Sequence, residues 1–486
     1  MSEDPLPVRR LSLRLTGDAR RTIMRFFWPA TDERARKIVN RVMALGDDEA
    51  TLRLRSVVGD FRRHHPNLDN TLVDHYEEVA RRVQVPGKPG RERRLLIGAY
   101  FTMEYAFESA ALFNPSMVPA RDQSSLAPGS IRFVMSLRAI GEGHISSIVF
   151  RTGTIDRDGE VTVEPASRYV RPLRIVENRE YDKGVFRSKL VEMDAYVPAA
   201  DTVLGKLSDP FTARQLYRAL QETQATVKDP SGFRELAENM TWLARSNYEA
   251  RFGSTAGLTE LAVFPLGEAE SHGIEDMRLV RFVDDDGAVR YYGTYTAFNG
   301  RTILPYLMES PEPGVARVHT LSGRYAQNKG MALFPRKLDG AYLMIGRTDG
   351  ENLYLLRSDN VRVWNDAVRI QEPRYAWQFV QIGNCGSPIE TEAGWLLITH
   401  GVGPMRRYCI GASLLDLHDP TKVIGQLTEP LLAPTDEERS GYVPNVVYSC
   451  GSLVHNGRLV IPYGISDAAA GVAVVPLDAV LARLRR

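Results

Sequence analysis

The sequence predicts a mainly β protein organised as a β-propeller, with an N-terminal α-helical domain and a helical insertion. Three observations lead there. Asp286-Gly287, Asp339-Gly340, Ala393-Gly394 and Asn456-Gly457 recur roughly every 50 to 60 residues, each between two short apolar runs, the signal of a hairpin repeated once per blade. From about residue 260 to residue 475 the chain reads as strand, turn, strand almost throughout. Two earlier stretches carry helical spacing instead. The expected division is a helical domain over 1–125 and a propeller catalytic domain over 126–486, with the helical insertion at about 205–246.

The elements follow in order. Thr31 is a plausible N-cap, with Asp32 and Glu33 in the first turn and Ile38, Val42 and Leu45 at helical spacing behind it. Leu72, Tyr76, Val79 and Val83 form a second stripe. Leu95 to Phe113 is the most apolar stretch, but Glu104 and Glu108 interrupt it, so it reads as a buried helix and not a membrane span. Near residue 130 the character changes. Ile131 to Leu137, Ser147 to Arg151 and Val161 to Val163 read as strands, with a turn at Asp158-Gly159. Leu216, Leu220 and Thr223, then Phe233, Leu236 and Met240, restore helical periodicity, and Leu477 to Arg485 reads as a short closing helix.

Composition narrows the class. An apolar fraction of 43% and a charged fraction of 25% are those of a soluble globular chain. The net charge of +1 argues against a nucleic-acid surface. Cys385, Cys409 and Cys450 have no metal-ligand spacing and suit a reducing cytoplasm, as buried fillers. The arginines at 9, 10, 14, 20, 21 and 25 break any signal peptide, so the expected location is cytoplasmic. Neither a metal nor a nucleotide motif appears, so no cofactor is expected. Partners are expected to include no nucleic acid and no membrane. The apolar stripes of the N-terminal region must pack on the propeller or on a second copy of the chain, which leaves a homo-oligomer open.

The densest polar cluster is Gly273-Ile274-Glu275-Asp276-Met277-Arg278. Structural ion pairs explain such a cluster as readily as catalysis does. The segments that follow decide otherwise. Tyr295-Thr296-Ala297-Phe298-Asn299-Gly300, Asn328-Lys329-Gly330-Met331-Ala332-Leu333-Phe334-Pro335, Thr399-His400-Gly401, Glu438-Arg439-Ser440-Gly441-Tyr442-Val443-Pro444-Asn445 and Tyr463-Gly464-Ile465-Ser466-Asp467 appear in that order. Together with the Glu-Asp-x-Arg cluster, this series resembles glycoside hydrolase family 130, the β-mannoside phosphorylases, over about residues 240–475.

The resemblance implies a five-bladed propeller and assigns roles. Asp276 would be the general acid, with Glu275 and Arg278 supporting it or the sugar. Arg245 and Asn247, in Arg245-Ser246-Asn247, would contact sugar, as would Asn299, and Glu438 and Asp467 would grip mannosyl hydroxyls. Arg301, Lys329 and His400 would bind phosphate, and the chemistry of a phosphate pocket adds Arg347 as a further candidate cation. Met277 stands where the family usually has proline.

Elementary chemistry agrees. Cleaving a glycosidic bond needs a proton for the leaving oxygen and a nucleophile at the anomeric carbon. An inverting hydrolase uses two carboxylates. A phosphorylase needs one acid and a cationic pocket, because phosphate is already an anionic nucleophile. Alone, Lys329 would more often be a solvated lysine and His400 a satisfied core histidine; their motifs reverse this. Arg347 is equally open to pairing with Asp349 or Asp359. The sequence therefore predicts a glycosyltransferase-type phosphorylase acting on β-mannosides, most directly β-1,2-mannobiose or β-1,2-oligomannan, with a mannoside oligosaccharide and inorganic phosphate as its partners. A β-mannosidase that uses water, and a non-catalytic carbohydrate-binding propeller, are the alternatives. His144 reads as a turn residue, and the tryptophans as blade packing.

Overall fold

A computed structural model describes residues 6–168, 170–172, 174–176, 180–227, 229–251, 257–265, 270, 273–298, 303–310 and 314–484. The protein is mainly β. Among the described residues, five sheets of four to six strands dominate. The first sheet is built on Ala111–Pro119, Ile131–Ile140 and Ser146–Ile155. The second holds Ile274–Val283, Val289–Phe298, Ile303–Ser310 and Val315–Thr320, extended outward by Tyr248–Arg251. The third runs Lys329–Leu333, Tyr342–Arg347, Leu353–Ser358 and Asp366–Gln371. The fourth runs Gln381–Asn384, Gly394–Val402, Tyr408–Leu415 and Val423–Gln426.

The fifth sheet pairs Val447–Tyr448, Arg458–Ile465 and Ala469–Pro476 with Arg9–Leu15 from the opposite end of the chain. The last strand is thereby paired on both sides, and Arg9–Leu15 becomes the edge of the sheet.

The cores lie between the sheets. Val118 and Phe150 of the first sheet pack with Ile274 and Tyr295 of the second, Phe282 of the second with Met331 and Met344 of the third, and Ile345 of the third with Trp395 and Leu397 of the fourth. Ile398 and Ile410 of the fourth pack with Ile461 and Ala473 of the fifth, whose Val460 and Val472 return to Leu112 and Phe133 of the first. The sheets thus pack face to face in a closed cycle. Their first strands meet along one line: the Leu279 amide donates to Ser116 Oγ at 2.9 Å and the Cys450 amide to the Pro115 carbonyl at 2.9 Å. We call these the inner strands.

The four recurring turns fall where the spacing placed them, each between two antiparallel strands. The N-terminal reading needs correction. Helices occupy Asp32–Met43, Asp47–Phe61, Leu68–Arg82 and Arg91–Tyr100, and Thr31 caps the first, accepting from the Arg34 amide at 3.3 Å. Strands Arg9–Leu15 and Thr22–Phe26 precede them. Leu95 to Phe113 is not one helix: the helix ends at Tyr100, and Thr102–Ala106 and the start of Ala111–Pro119 are strands. The inner strand Ala111–Pro119 is buried on both faces, so its sequence shows no alternation of apolar and polar residues that would mark it as a strand. Glu108 is fully buried between Arg21 and Arg151 at 2.6 and 3.0 Å, tying the N-terminal segment to the first sheet. The helical insertion is also larger than expected. Lys183–Glu192 and Pro198–Gly205 precede Ala213–Gln224 and Pro230–Ser246. Cys385, Cys409 and Cys450 are buried and unbonded to one another. Among the described residues no helix is long and apolar enough to cross a membrane.

Candidate active site

Three inner strands carry the same irregularity. Between Phe113 and Ser116, between Glu275 and Arg278, and between Lys329 and Ala332, the inner strand holds one residue more than its partner. Each is a β-bulge, and in each the residue after the last regular pair has positive φ: Asn114 at 49°, Asp276 at 55° and Gly330 at 89°. Asparagine and aspartate tolerate this conformation better than other side chains, because their short polar groups can bond locally. At the second bulge the turn sends Asp276 toward the line where the inner strands meet. It sends Met277 into the core, where its sulfur lies over Gly293.

The bulges gather one polar cluster. The Asn114 amide donates to Asp276 Oδ1 at 2.8 Å. Arg138, on the second strand of the first sheet, reaches Glu275 Oε1 at 3.0 Å and Asp276 Oδ1 at 3.7 Å. Lys329 Nζ donates to Glu275 Oε2 at 2.5 Å. Arg278 is 2% exposed and donates to the Asp276 carbonyl at 3.0 Å and to the Tyr448 hydroxyl at 2.6 Å. Burial works to raise the Asp276 carboxyl, but Arg138, Arg278, the Asn114 amide and Lys329 outweigh it and hold it below the ordinary aspartate value.

A second group adjoins the first. Lys329 pairs in register with Arg347 across the third sheet, so the two cations stand side by side. Arg347 lies 3.4 Å from His400 Nε2. His400 is 2% exposed, and its imidazole lies across Gly383, where any side chain would collide with it. Burial, then Arg347 and Arg278, hold its pKa well below the ordinary histidine value, so the ring is neutral and its Nε2 accepts from Arg347. Asp467 follows the fifth sheet's second strand at φ 51°. Burial and then the Asp276 charge push its carboxyl up to about 6, against Arg138 and Arg406.

Arg245, Asn247 and Glu438 have their described contacts elsewhere. Arg245 and Asn247 sit at the C-terminal end of helix Pro230–Ser246, beside the outer edge of the second sheet. Asn247 accepts from the Thr320 amide at 2.9 Å and donates to the Leu243 carbonyl at 2.9 Å, which makes it a helix terminator there. The Glu438 carboxylate accepts from the Tyr463 hydroxyl at 2.6 Å, from Arg10 at 3.2 Å and from the Thr435 amide at 3.1 Å. Asn299 and Arg301 fall outside the described residues.

Asn114, Arg138 and Tyr448 were not foreseen. Asn114 stood one residue beyond a stretch read as helix. Arg138 lay in an ordinary strand pattern, and only the register of its hairpin shows that it stands in the first sheet where Arg347 stands in the third.

A family model described as beta-1,4-mannooligosaccharide phosphorylase matches residues 256–486. A 1,2-beta-oligomannan phosphorylase from Thermoanaerobacter sp. is 36% identical over 43% of this chain and 70% of that protein. A beta-1,2-mannobiose phosphorylase from the same organism is 37% identical over 43% of this chain and 69% of that protein. Among solved structures, the beta-1,2-mannobiose phosphorylase of Listeria innocua aligns with a TM-score of 0.47 and 19% identity, over 78% of this chain and 93% of that one. The chain belongs to glycoside hydrolase family 130, a family of enzymes that includes mannoside phosphorylases.

Proposed function

We propose that the protein catalyses inverting phosphorolysis of β-mannosides, in particular β-1,2-mannobiose or β-1,2-oligomannan, releasing α-mannose 1-phosphate. In this reading the five sheets are the blades of a five-bladed propeller and the inner strands line its axis. The observation that carries it is Arg347. Its neighbours are Lys329 and a neutral histidine, its Nε is buried without a hydrogen-bond partner, and among the described residues no carboxylate lies within ion-pair distance. A cation so placed calls for an anion, and guanidinium beside ammonium suits phosphate. Two relatives named as phosphorylases of 1,2-beta-oligomannan and beta-1,2-mannobiose support the β-1,2 preference.

Asp276 gives the proton to the leaving oxygen. The surrounding cations keep it ionised in the free enzyme, so it is loaded when substrates bind. Phosphate draws on Lys329 and Arg347, which weakens the hold of Lys329 on the carboxylate, and the enclosed sugar favours its neutral form. The phosphate oxygen attacks the anomeric carbon from the opposite face, the glycosidic bond breaks toward the departing oxygen, and Asp276 protonates that oxygen. In this reading Asp467 and Glu275 accept from sugar hydroxyl groups. The Glu438 carboxylate, held by Tyr463, Arg10 and Thr435, is poorly free to activate water, which weighs against hydrolysis.

The test is direct. Purified enzyme with β-1,2-mannobiose should release α-mannose 1-phosphate only when phosphate is present. Free mannose appearing equally fast without phosphate would replace this reading with a hydrolase, for which Asp467, whose carboxyl feels the Asp276 charge, is a candidate base.

A further inference from the structure

A cleft of about 570 Å³ opens beside the fourth sheet, outside the cluster described above. Tyr375, Trp377, Pro404, Arg407, Thr428 and Glu429 line it. Trp377 belongs to the short turn Ala376–Gln378 that leads into the inner strand Gln381–Asn384. Its ring lies on Gly401 and Gly411; a side chain at either would come within 2.5 Å of the indole. Its Nε1 donates to the Thr428 carbonyl at 3.0 Å, which fixes the ring plane before any ligand arrives. A flat aromatic ring seated on glycines, with an arginine and a glutamate beside it, suits a sugar. The C–H face of a pyranose covers the indole, and the hydroxyls bond to guanidinium and carboxylate.

The cleft is joined to the catalytic cluster by one loop. Gly403 to Arg407 connects the second and third strands of the fourth sheet, as the loop bearing Asp467 does in the fifth. Gly403, Pro404 and Arg407 line the cleft, whereas the Arg406 charge bears on Asp467. Met405 and Arg406 both have positive φ, at 57° and 54°, an uncommon pair of conformations for residues other than glycine. On the adjoining strand, Gly401 under Trp377 directly follows His400, and successive residues of a strand point to opposite faces. One side of this strand and loop therefore serves the catalytic cluster, and the other forms the wall of the cleft.

We propose that the cleft is a second carbohydrate site, which holds remote units of an oligomeric β-mannoside while its terminal unit occupies the catalytic cluster. This rests on the reading of the cluster as a mannoside phosphorylase. The experiment compares β-1,2-mannobiose with β-1,2-mannohexaose at saturating phosphate, using wild type, Trp377→Ala, Trp377→Phe and Arg407→Ala. In Trp377→Ala the ratio of the hexaose KM to the biose KM should rise about tenfold, with partial restoration in Trp377→Phe. Arg407→Ala should move the ratio in the same direction, and this variant keeps the test in force if removing the indole prevents folding. Calorimetric binding of the hexaose without phosphate should weaken by the same factor. An active wild type whose ratio is unchanged in all three variants overturns the proposal. So does a Trp377→Ala enzyme that changes oligomeric state with its ratio intact, which would make the cleft an interface between copies. A wild type that phosphorolyses no mannoside, yet binds the hexaose in a Trp377-dependent way, would sink the phosphorylase reading and leave the cleft as a glycan site.

Discussion

The hairpin Ala111–Ile140 of the first sheet and the hairpin Lys329–Arg347 of the third are built alike and do different work. In both, an inner strand bulges after a pair whose partner is an arginine, Phe113 with Arg138 and Lys329 with Arg347. In the first, Arg138 crosses to the second sheet and faces two carboxylates, Glu275 and Asp276. In the third, Arg347 faces a neutral imidazole. The backbone device is the same, and the neighbours decide the chemistry. An arginine that has its counter-charge sets the ionisation of an acid; one that lacks it is available to an anionic substrate.

The largest effect should come from the acid that the first hairpin controls. Asp276→Asn keeps the shape and the Asn114 contact but removes the transferable proton, so kcat for mannose 1-phosphate release should fall by roughly 10²- to 10⁴-fold. A correctly folded variant with near-normal turnover would remove Asp276 from the mechanism.

Next comes the unbalanced cation. Arg347→Ala should raise the KM for phosphate by roughly 10- to 100-fold, the loss of one to two charge-assisted contacts, while the mannoside KM changes far less. Arg347→Lys should recover only part, because an ammonium cannot form the paired contact. Equal effects on both substrates would mean that Arg347 does not meet the anion.

A smaller effect, but one specific to the first hairpin, is expected from Arg138→Gln. Arg138 is the leading cation that lowers the Asp276 pKa. Its loss raises that pKa, so the high-pH limb of kcat/KM, where the acid loses its proton, should move to higher pH. A limb that stays in place, or moves to lower pH, would show that Arg138 does not tune the acid.

The smallest effect concerns stability. Asp467 has its folded pKa raised to about 6. Its native carboxyl therefore keeps a proton that the unfolded chain has already lost, and stability declines as pH climbs from the ordinary aspartate value through about 6. At pH 7 the ionised group is a standing cost. Asp467→Asn should raise Tm by about 1–3 °C at neutral pH and leave it unchanged near pH 4, while weakening mannoside binding. A Tm that drops at neutral pH would show that ionised Asp467 is stabilised by its neighbours.

Much of this molecule was determined by the sequence alone. Asp-Gly and Asn-Gly turns act locally, because their backbone preferences need no distant partner, and so the hairpins from Asp286 onward could be read directly. The Glu275-Asp276 cluster, Lys329 and His400 could be singled out because their motifs, in order, resemble those of glycoside hydrolase family 130. Tertiary structure decided the rest. It turned Leu95 to Phe113 from an expected helix into a helix end and two strands, since the apolar residues of such a mixed run show no single period that separates helix from strand. It placed Arg9–Leu15 beside Ala469–Pro476, a pairing set by the closure of the sheet cycle. It brought Asn114 and Arg138 to an acid 162 and 138 residues away, respectively, and left Asn247 at a helix end. Charge state was also settled there, because burial and the distances between charges exist only once the chain has folded: of two aspartates of the same kind, Asp276 is held down by the cations around it, and Asp467 is pushed up by burial and by the Asp276 charge.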